Sequence, residues 1–556
     1  MNYKKLLFMA IFAMPLTSSL AATLYVDPNN SRATDSGAGE ASKPYKSLEY
    51  ATRQLAAGDT LILAPGIYRE SIDLQQAPKL RGADEGKLTR IEAAPGAKVL
   101  IKGSDAVTGW ERVEKGVFVK RNWSANSQQV FVDGVALKQI GGTILNGFPA
   151  RPGHPMAKLH MSNGGIWPGR IPGGLDEMTD NSFFYDAKAQ SLYVKIPEES
   201  LNSRLVEASV RPYLLTGQAV RNLRVSNLRF AHANTTSVSQ AGAISLTGDN
   251  LFLDRIELTH VDGNGFDITG NDNTVSNSVA NYCGQTGMKV RGKNARVLNN
   301  ETSYNNTRGF NKWWEAGGAK FVGAGGLQDS EVAGHRAYFN NGDGIWFDWK
   351  NRNNKIHDNI AAYNTGMGIQ YESSQSARIY NNYVFANKQR GIYLPNSSKS
   401  FVAHNLVVAN GMEGIVIIDE ARNNPERAPV ENRVIGNIIA WNGKTAIVLP
   451  NDILDNVSDA NLLVDMKRPT FSMGWGSRER PIVQGLTAWG AMSGQDKQSW
   501  HKDIAIPPQL AAELQARKLT PDWSALRELA SELRIPSDRS FAESKRENRA
   551  TPGPQS

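Results

Sequence analysis

The sequence predicts an all-β chain folded as a right-handed parallel β-helix, and three observations carry that expectation. A glycine-led apolar segment recurs through the second half of the chain. Two asparagine positions recur with it. Glycine is abundant (51 of 556 residues), while long amphipathic helical stretches are scarce.

The repeats align as NGFDITG from Asn264, TGMKVRG from Thr286, GGAKFVG from Gly317, DGIWFDW from Asp343, MGIQYES from Met367, RGIYLPN from Arg390 and EGIVIID from Glu413. Their glycines (265, 287, 318, 344, 368, 391 and 414) step by 22, 31, 26, 24, 23 and 23 residues. Asn359, Asn382 and Asn405 keep the same step, as do Asn364, Asn387 and Asn410. A sustained period of this size is the signature of a solenoid. Short strands stacked about 4.8 Å apart fit it, whereas the leucine spacing of a leucine-rich repeat is missing. Asparagine is expected to bridge neighbouring turns, and glycine to supply φ > 0 at the corners. His335 falls in the asparagine slot of Asn359 and reads as a ladder residue.

Taken in order, residues 1–21 read as a signal peptide: cationic MNYKK, apolar LLFMAIFAMPL, then small residues up to Ala21. Export to the periplasm or medium is the expectation. Residues 22–106 are read as an N-terminal cap with the first coils, a short helix closing the open end. From 107 to 211 the period vanishes, and GVFVKRNW, QQVFVDGVALKQI and AQSLYVKIP predict an inserted β-rich subdomain. Residues 212–465 form the main β-helix and its groove. Residues 466–535, with helical PPQLAAELQARK and WSALRELASELR, are expected to cover the far end, and 536–556 to be disordered.

Lys+Arg number 62 against 54 Asp+Glu; removing residues 1–21 takes Lys4 and Lys5, leaving 60 against 54. This modest positive balance suits anionic partners such as acidic glycans, lipopolysaccharide or a membrane surface, and a carbohydrate substrate is the partner expected. No nucleic-acid partner or membrane span is expected, and the chain is read as a monomer. The single cysteine, Cys283, reads as a small buried residue. No cofactor is expected, since the acids do not cluster as Ca²⁺ ligands.

Side chains alternate along a strand. Positions one and three after each key glycine are mostly apolar and point inward, so positions two and four face out. The outward columns are Asp267, Lys289, Lys320, Trp346, Gln370, Tyr393 and Thr269, Arg291, Val322, Asp348, Glu372, Pro395. Carboxylates, cations and aromatics on adjacent coils suit a sugar-binding groove. Asp348 and Glu372 occupy one slot on consecutive coils, which places them about 5 Å apart, the carboxyl spacing of retaining glycosidases. Two acids that close should not both ionise easily, and Tyr371 and Tyr393 are expected to flank Glu372 and keep it protonated. A pair of solvated acids or a cation site is the bland alternative. Lys289, Arg291, Asp267, Gln370 and Tyr393 are candidate substrate contacts. Trp346 is the favoured stacking platform and Trp314 a further candidate substrate contact, with one of the adjacent Trp313 and Trp314 expected to pack back into the solenoid.

GDGIWFDWKNRNNKIHDN, followed by GIQYESS and preceded by KWWEAGGAKF, resembles the β-helix β-xylosidases of glycoside hydrolase family 120 over about residues 305–400. The resemblance implies a retaining glycoside hydrolase, with Asp348 as nucleophile and Glu372 as acid/base. GGAKFVG is similar to the lysine segment of polysaccharide lyase family nine, which implies β-elimination with Lys320 as base. That family's calcium site of clustered aspartates has no counterpart here, since Asp267 stands beside Lys289 and Arg291. Under the hydrolase reading Lys320 is expected to bind substrate roughly 5–8 Å from Asp348. A third reading is a non-catalytic glycan-binding β-helix.

Overall fold

A computed structural model describes residues 21–533 except 81–85, 143, 145–170, 198–199, 236–240, 324, 421–427, 451–454, 466–469 and 474–481. The segment read as a signal peptide, up to residue 20, and the tail from 534 lie outside the described residues. The chain forms a parallel β-helix whose coils each contribute three short strands to two long sheets.

Seven strands on one face matter for function: β1 (Asn264–Thr269), β2 (Thr286–Lys293), β3 (Gly317–Phe321), β4 (Asp343–Asp348), β5 (Ile369–Glu372), β6 (Ile392–Pro395) and β7 (Ile415–Ile418). Their parallel register pairs Phe266 with Met288, Met288 with Ala319, Ala319 with Ile345, Ile345 with Ile369, Ile369 with Ile392 and Ile392 with Ile415. The key glycines, one residue earlier, therefore form a single row. The inward residues of these strands join one continuous apolar core along the solenoid. Stacked Phe321, Phe347 and Tyr371 fill it beneath the groove.

The row glycines are not there for φ > 0, contrary to expectation: their φ values lie outside the left-handed region. Close approach selects them. A Cβ on Gly368 would lie 2.2 Å from Val384 Cγ1 and 2.8 Å from the Gly391 carbonyl; on Gly318 it would lie 2.4 Å from the Gly344 carbonyl. Other residues make the left-handed turns. Tyr363, Ala386 and Ala409 each take φ of 53–57° immediately before Asn364, Asn387 and Asn410, and Asp358, Asn381 and His404 do so before Asn359, Asn382 and Asn405.

One left-handed residue turns the chain sharply, and the buried asparagine behind it absorbs the exposed backbone groups. Asn382 accepts from the Asn359 amide (3.0 Å), donates Nδ2 to the Ile356 carbonyl (2.9 Å) and to Asn405 Oδ1 (2.9 Å). Asn387 repeats the pattern between Asn364 and Asn410. Such buried groups are costly if left unpaired, so each ladder locks the coil spacing. His335 stands in this ladder, its amide donating to Asn359 Oδ1 at 2.8 Å, and burial pushes its imidazole down to about 4. Cys283 is fully buried, and burial pushes its thiol up.

At the N-terminal end helix α1 (Leu48–Gln54), capped by Ser47, sends Leu48 and Ala51 into the core. Strands from Ser104 to Ser209, antiparallel except where Lys138–Gln139 pairs with Ser182–Asp186, form two small sheets beside the solenoid. They interrupt nothing: Val99–Lys102 pairs directly with Arg229–Ala231, so the solenoid resumes on the next coil. Lys102 and Arg69 clamp buried Glu207, each at 2.7 Å, at the base of the insertion. At the far end the helices differ from expectation. Helix α2 (Leu486–Ser493) caps the core, with Trp489 stacked on Phe471. Helices α3 (Pro508–Gln515) and α4 (Ser524–Glu532) lie along the flank, because their apolar residues match an outward row of Ala362, Phe385, Leu406 and Val408. Among the described residues no helix is long and apolar enough to cross a membrane.

Candidate active site

The outward residues of β1 to β6 line up as one column: Asp267, Lys289, Lys320, Trp346, Gln370 and Tyr393 are in direct register. Asp348 on β4 pairs with Glu372 on β5. Adjacent strands place two such backbones about 4.8 Å apart, with both side chains on one face.

The two carboxyls have different surroundings. Glu372 is buried, and its Oε2 accepts from Trp346 Nε1 (3.1 Å) and from Gln370 Nε2 (2.7 Å). Asp348 is partly open and its Oδ2 lies 3.1 Å from Lys320 Nζ. That contact is shorter than the expected 5–8 Å, because the lysine side chain reaches diagonally across one coil. Lys320 also donates to the Trp314 carbonyl, and its ammonium stands 3.4 Å from the centroid of the Trp346 ring.

Trp346 is therefore not an open stacking platform. It is 4% exposed, and Lys320 covers one ring face while Nε1 orients Glu372. Tyr371 does not flank Glu372 either; it points into the core and donates to the Gln375 carbonyl at 2.7 Å. Tyr393 lies on the groove column, bonded to Glu420 and packed with Met367 and Val416 under Arg390.

The cationic end of the column is neutralised internally. Lys289 pairs with Glu315, and Arg291 pairs with Asp267 while donating to Thr269 Oγ1 at 2.7 Å. Burial alone would raise the Glu315 carboxyl, yet Lys289, Lys320 and Arg291 hold it below the usual carboxylate range. The loop bearing Glu315 is the long connection between β2 and β3. Asn306 ties it down through the Phe310 amide (2.6 Å) and carbonyl (2.8 Å). Contrary to the expectation of a substrate contact, Trp314 packs back against Phe310, Ala316, Ile144 and Ile171, and Trp313 is the exposed one of the pair.

Two groups escaped sequence reasoning. Glu315 was visible only as part of KWWEAGG, and nothing in the spacing showed that it returns to Lys289. Asp343 precedes a row glycine and so fell outside the counted columns. It is 2% exposed, its Oδ1 accepts from the Met367 amide at 2.8 Å, and burial pushes its carboxyl up to about 7, with Glu372 adding to the rise and the Met367 amide and Lys320 opposing it. The column also holds Asn264, Thr286, Gly317, Met367, Arg390 and a second acid, Glu413, so nothing in the sequence singled Asp343 out.

A family model described as "Right handed beta helix region" matches residues 242–407 and 312–439. No curated protein matches the sequence. Among solved structures, the chain is similar to that of XylC in complex with xylose, at 15% identity over 87% of each chain with a TM-score of 0.61. It is also similar to a structure named only as a glycoside hydrolase (12% identity, 82% of this chain and 95% of that one, TM-score 0.48). Pectate lyase Pel9A aligns over 95% of this chain and 91% of that one, at 12% identity and a TM-score of 0.33. The fold is a right-handed parallel β-helix.

Proposed function

We propose that this protein is a retaining glycoside hydrolase with Asp348 as nucleophile and Glu372 as acid/base. The observation that carries the reading is the register pair Asp348–Glu372, whose members sit in contrasting environments on one face. Asp348, open to the groove and faced by Lys320, suits attack on an anomeric carbon. Glu372, gripped at Oε2 by Trp346 and Gln370, is oriented for proton transfer to a leaving oxygen and then from water. Xylosides are the first substrates to test, because the structure of XylC holds xylose and shares this fold. The N-terminal segment supports export as part of the same proposal.

The lyase reading has less support. A proton-abstracting lysine needs a lone pair directed at substrate. Nζ of Lys320 instead faces the Asp348 carboxylate, the Trp314 carbonyl and the Trp346 ring.

The test is product analysis on aryl glycosides and on neutral and acidic oligosaccharides. Hydrolysis with retained anomeric configuration, read by proton NMR in the first minutes, is the expected result. Inverted product would sink the double displacement. Absorbance near 235 nm from an unsaturated uronate, without hydrolysis, would replace the hydrolase with a lyase.

A further inference from the structure

The insertion meets the solenoid across a cavity of about 520 Å³, within the size range of small-molecule sites. None of the groove residues lines it. Its link with them is the loop between β2 and β3, which gives Thr307 and Arg308 to the cavity and the Trp314 carbonyl to Lys320. Arg308 ties the two walls together: its guanidinium bonds Asp262 on the solenoid, and Gln139 Oε1 (2.9 Å) and the Gln128 carbonyl on the insertion. The solenoid wall is equally fixed. His260 stacks on Tyr282 (centroids 4.9 Å, planes 15° apart) and Tyr282 on Tyr304 (5.1 Å, 7°), with Phe131 of the insertion edge-on to His260. Stacking occupies the faces of the Tyr282 ring, so its edge and hydroxyl are what it offers a ligand.

Four polar groups of this lining have hydrogen-bonding capacity to spare. The Lys138 ammonium and the hydroxyls of Tyr282 and Thr307 make no hydrogen bond or ion pair among the described residues, and His260 uses only Nδ1, 2.8 Å from Thr259 Oγ1. Leu137, Ile144, Ile171 and Pro172 supply apolar lining beside them. A pyranose matches such a mixture, because its C–H faces are apolar and its rim of hydroxyls both donates and accepts. The charge is one-sided. No described lining residue is acidic, Asp262 neutralises Arg308, and burial holds the His260 imidazole below its ordinary value, so His260 adds a nitrogen and no charge at pH 7. Lys138 is left as a cation that a ligand carboxylate can meet.

We propose that this cavity is a second, non-catalytic sugar site, which takes a uronate residue with its carboxylate on Lys138 and its hydroxyls on Tyr282, Thr307 and His260. The choice of a sugar rests on the glycosidase reading; the cavity and its charge do not.

The experiment titrates sodium glucuronate into the full chain carrying D348A and follows the heat, with xylose and sodium acetate as comparisons. Lys138 and Tyr282 are exposed, so K138A and Y282F leave the core intact, and thermal melts verify it. K138A is expected to weaken glucuronate tenfold or more and Y282F threefold or more, with xylose unmoved by K138A. The same two substitutions in the chain with Asp348 intact are expected to leave kcat/KM on p-nitrophenyl glycosides within twofold. Glucuronate that fails to bind, or that binds equally to both variants, overturns the site. Acetate that binds as tightly as glucuronate reduces it to an anion contact and overturns the sugar. A tenfold fall in kcat/KM on p-nitrophenyl glycosides would make the cavity part of the catalytic groove. An active wild type without glucuronate binding overturns this site alone. A chain that cleaves no glycoside yet binds glucuronate through Lys138 keeps the site and overturns the glycosidase reading.

Discussion

Lys320 Nζ stands 3.1 Å from Asp348 Oδ2 and 3.4 Å from the centroid of the Trp346 ring. One cation from the coil below thus contacts the proposed nucleophile and covers the tryptophan that orients the proposed acid/base. Both carboxyls of the pair depend on it, one directly and one through Trp346 Nε1.

Lys320→Ala should therefore lower kcat as well as raise KM. A hydrogen bond to a charged group contributes about 1.5–3 kcal/mol, so kcat/KM should fall roughly 10- to 150-fold. Steady-state kinetics on an aryl glycoside measures it. A change in KM alone would return Lys320 to a purely substrate-binding role.

The two proposed catalytic acids should separate by leaving group. Asp348→Ala should abolish turnover on every substrate, since no covalent intermediate forms. Glu372→Ala should spare the first step for good leaving groups, and azide should then restore turnover as a glycosyl azide. Mass spectrometry of the product distinguishes this from residual hydrolysis; equal loss on all substrates without rescue would count against the assignment.

Trp346→Phe keeps a ring beneath Lys320 and removes the indole donor to Glu372 Oε2, leaving that of Gln370. Loss of one such bond costs about 1–2 kcal/mol, roughly 5- to 30-fold, felt most where proton donation is demanding. The ratio of rates on poor and good leaving groups should fall. An unchanged ratio would mean that Gln370 and the other contacts of Glu372 position the acid without Trp346.

Asp343 should leave a mark on stability whatever the substrate. Burial raises its carboxyl from the ordinary aspartate value of 3.8 to about 7, so between these values the folded chain binds more protons than the unfolded one. Its contribution is fully present below pH 4 and is lost as pH rises through 7. Denaturant melts should show Asp343→Asn gaining about 2–3 kcal/mol over wild type between pH 5 and pH 8. A gap that stays constant with pH would show that the carboxyl does not titrate in this range.

The coil contacts should be unforgiving. Asn382→Ala strips the Asn359 amide and the Ile356 carbonyl of their partners and should cost about 2–4 kcal/mol. Gly368→Ala drives a Cβ to 2.2 Å from Val384 and should do at least as much damage, although φ there is ordinary. Calorimetric melting reads both; a neutral Gly368→Ala would mean that the coils can separate locally.

The amino-acid sequence by itself determined the coil, the glycine row, the inward and outward columns and the adjacency of Asp348 and Glu372. These follow from two periods, the alternation of side chains along a strand and the fixed step between coils, and both are local properties that residues display directly. Sequence reasoning stopped where a contact depends on how far a long side chain reaches or on what lies above it. The reach of Lys320 to Asp348, the return of Glu315 to Lys289 and the burial of Trp346 and Asp343 depend on the loop between β2 and β3 and on the coils stacked around them. Helices α3 and α4 followed the same rule: amphipathic patterning showed that they bury a face, and only the outward row of Ala362, Phe385, Leu406 and Val408 decided where. Packing chooses among surfaces that a linear pattern leaves equivalent, because burial free energy depends on the partner surface as well as on the residue that is buried.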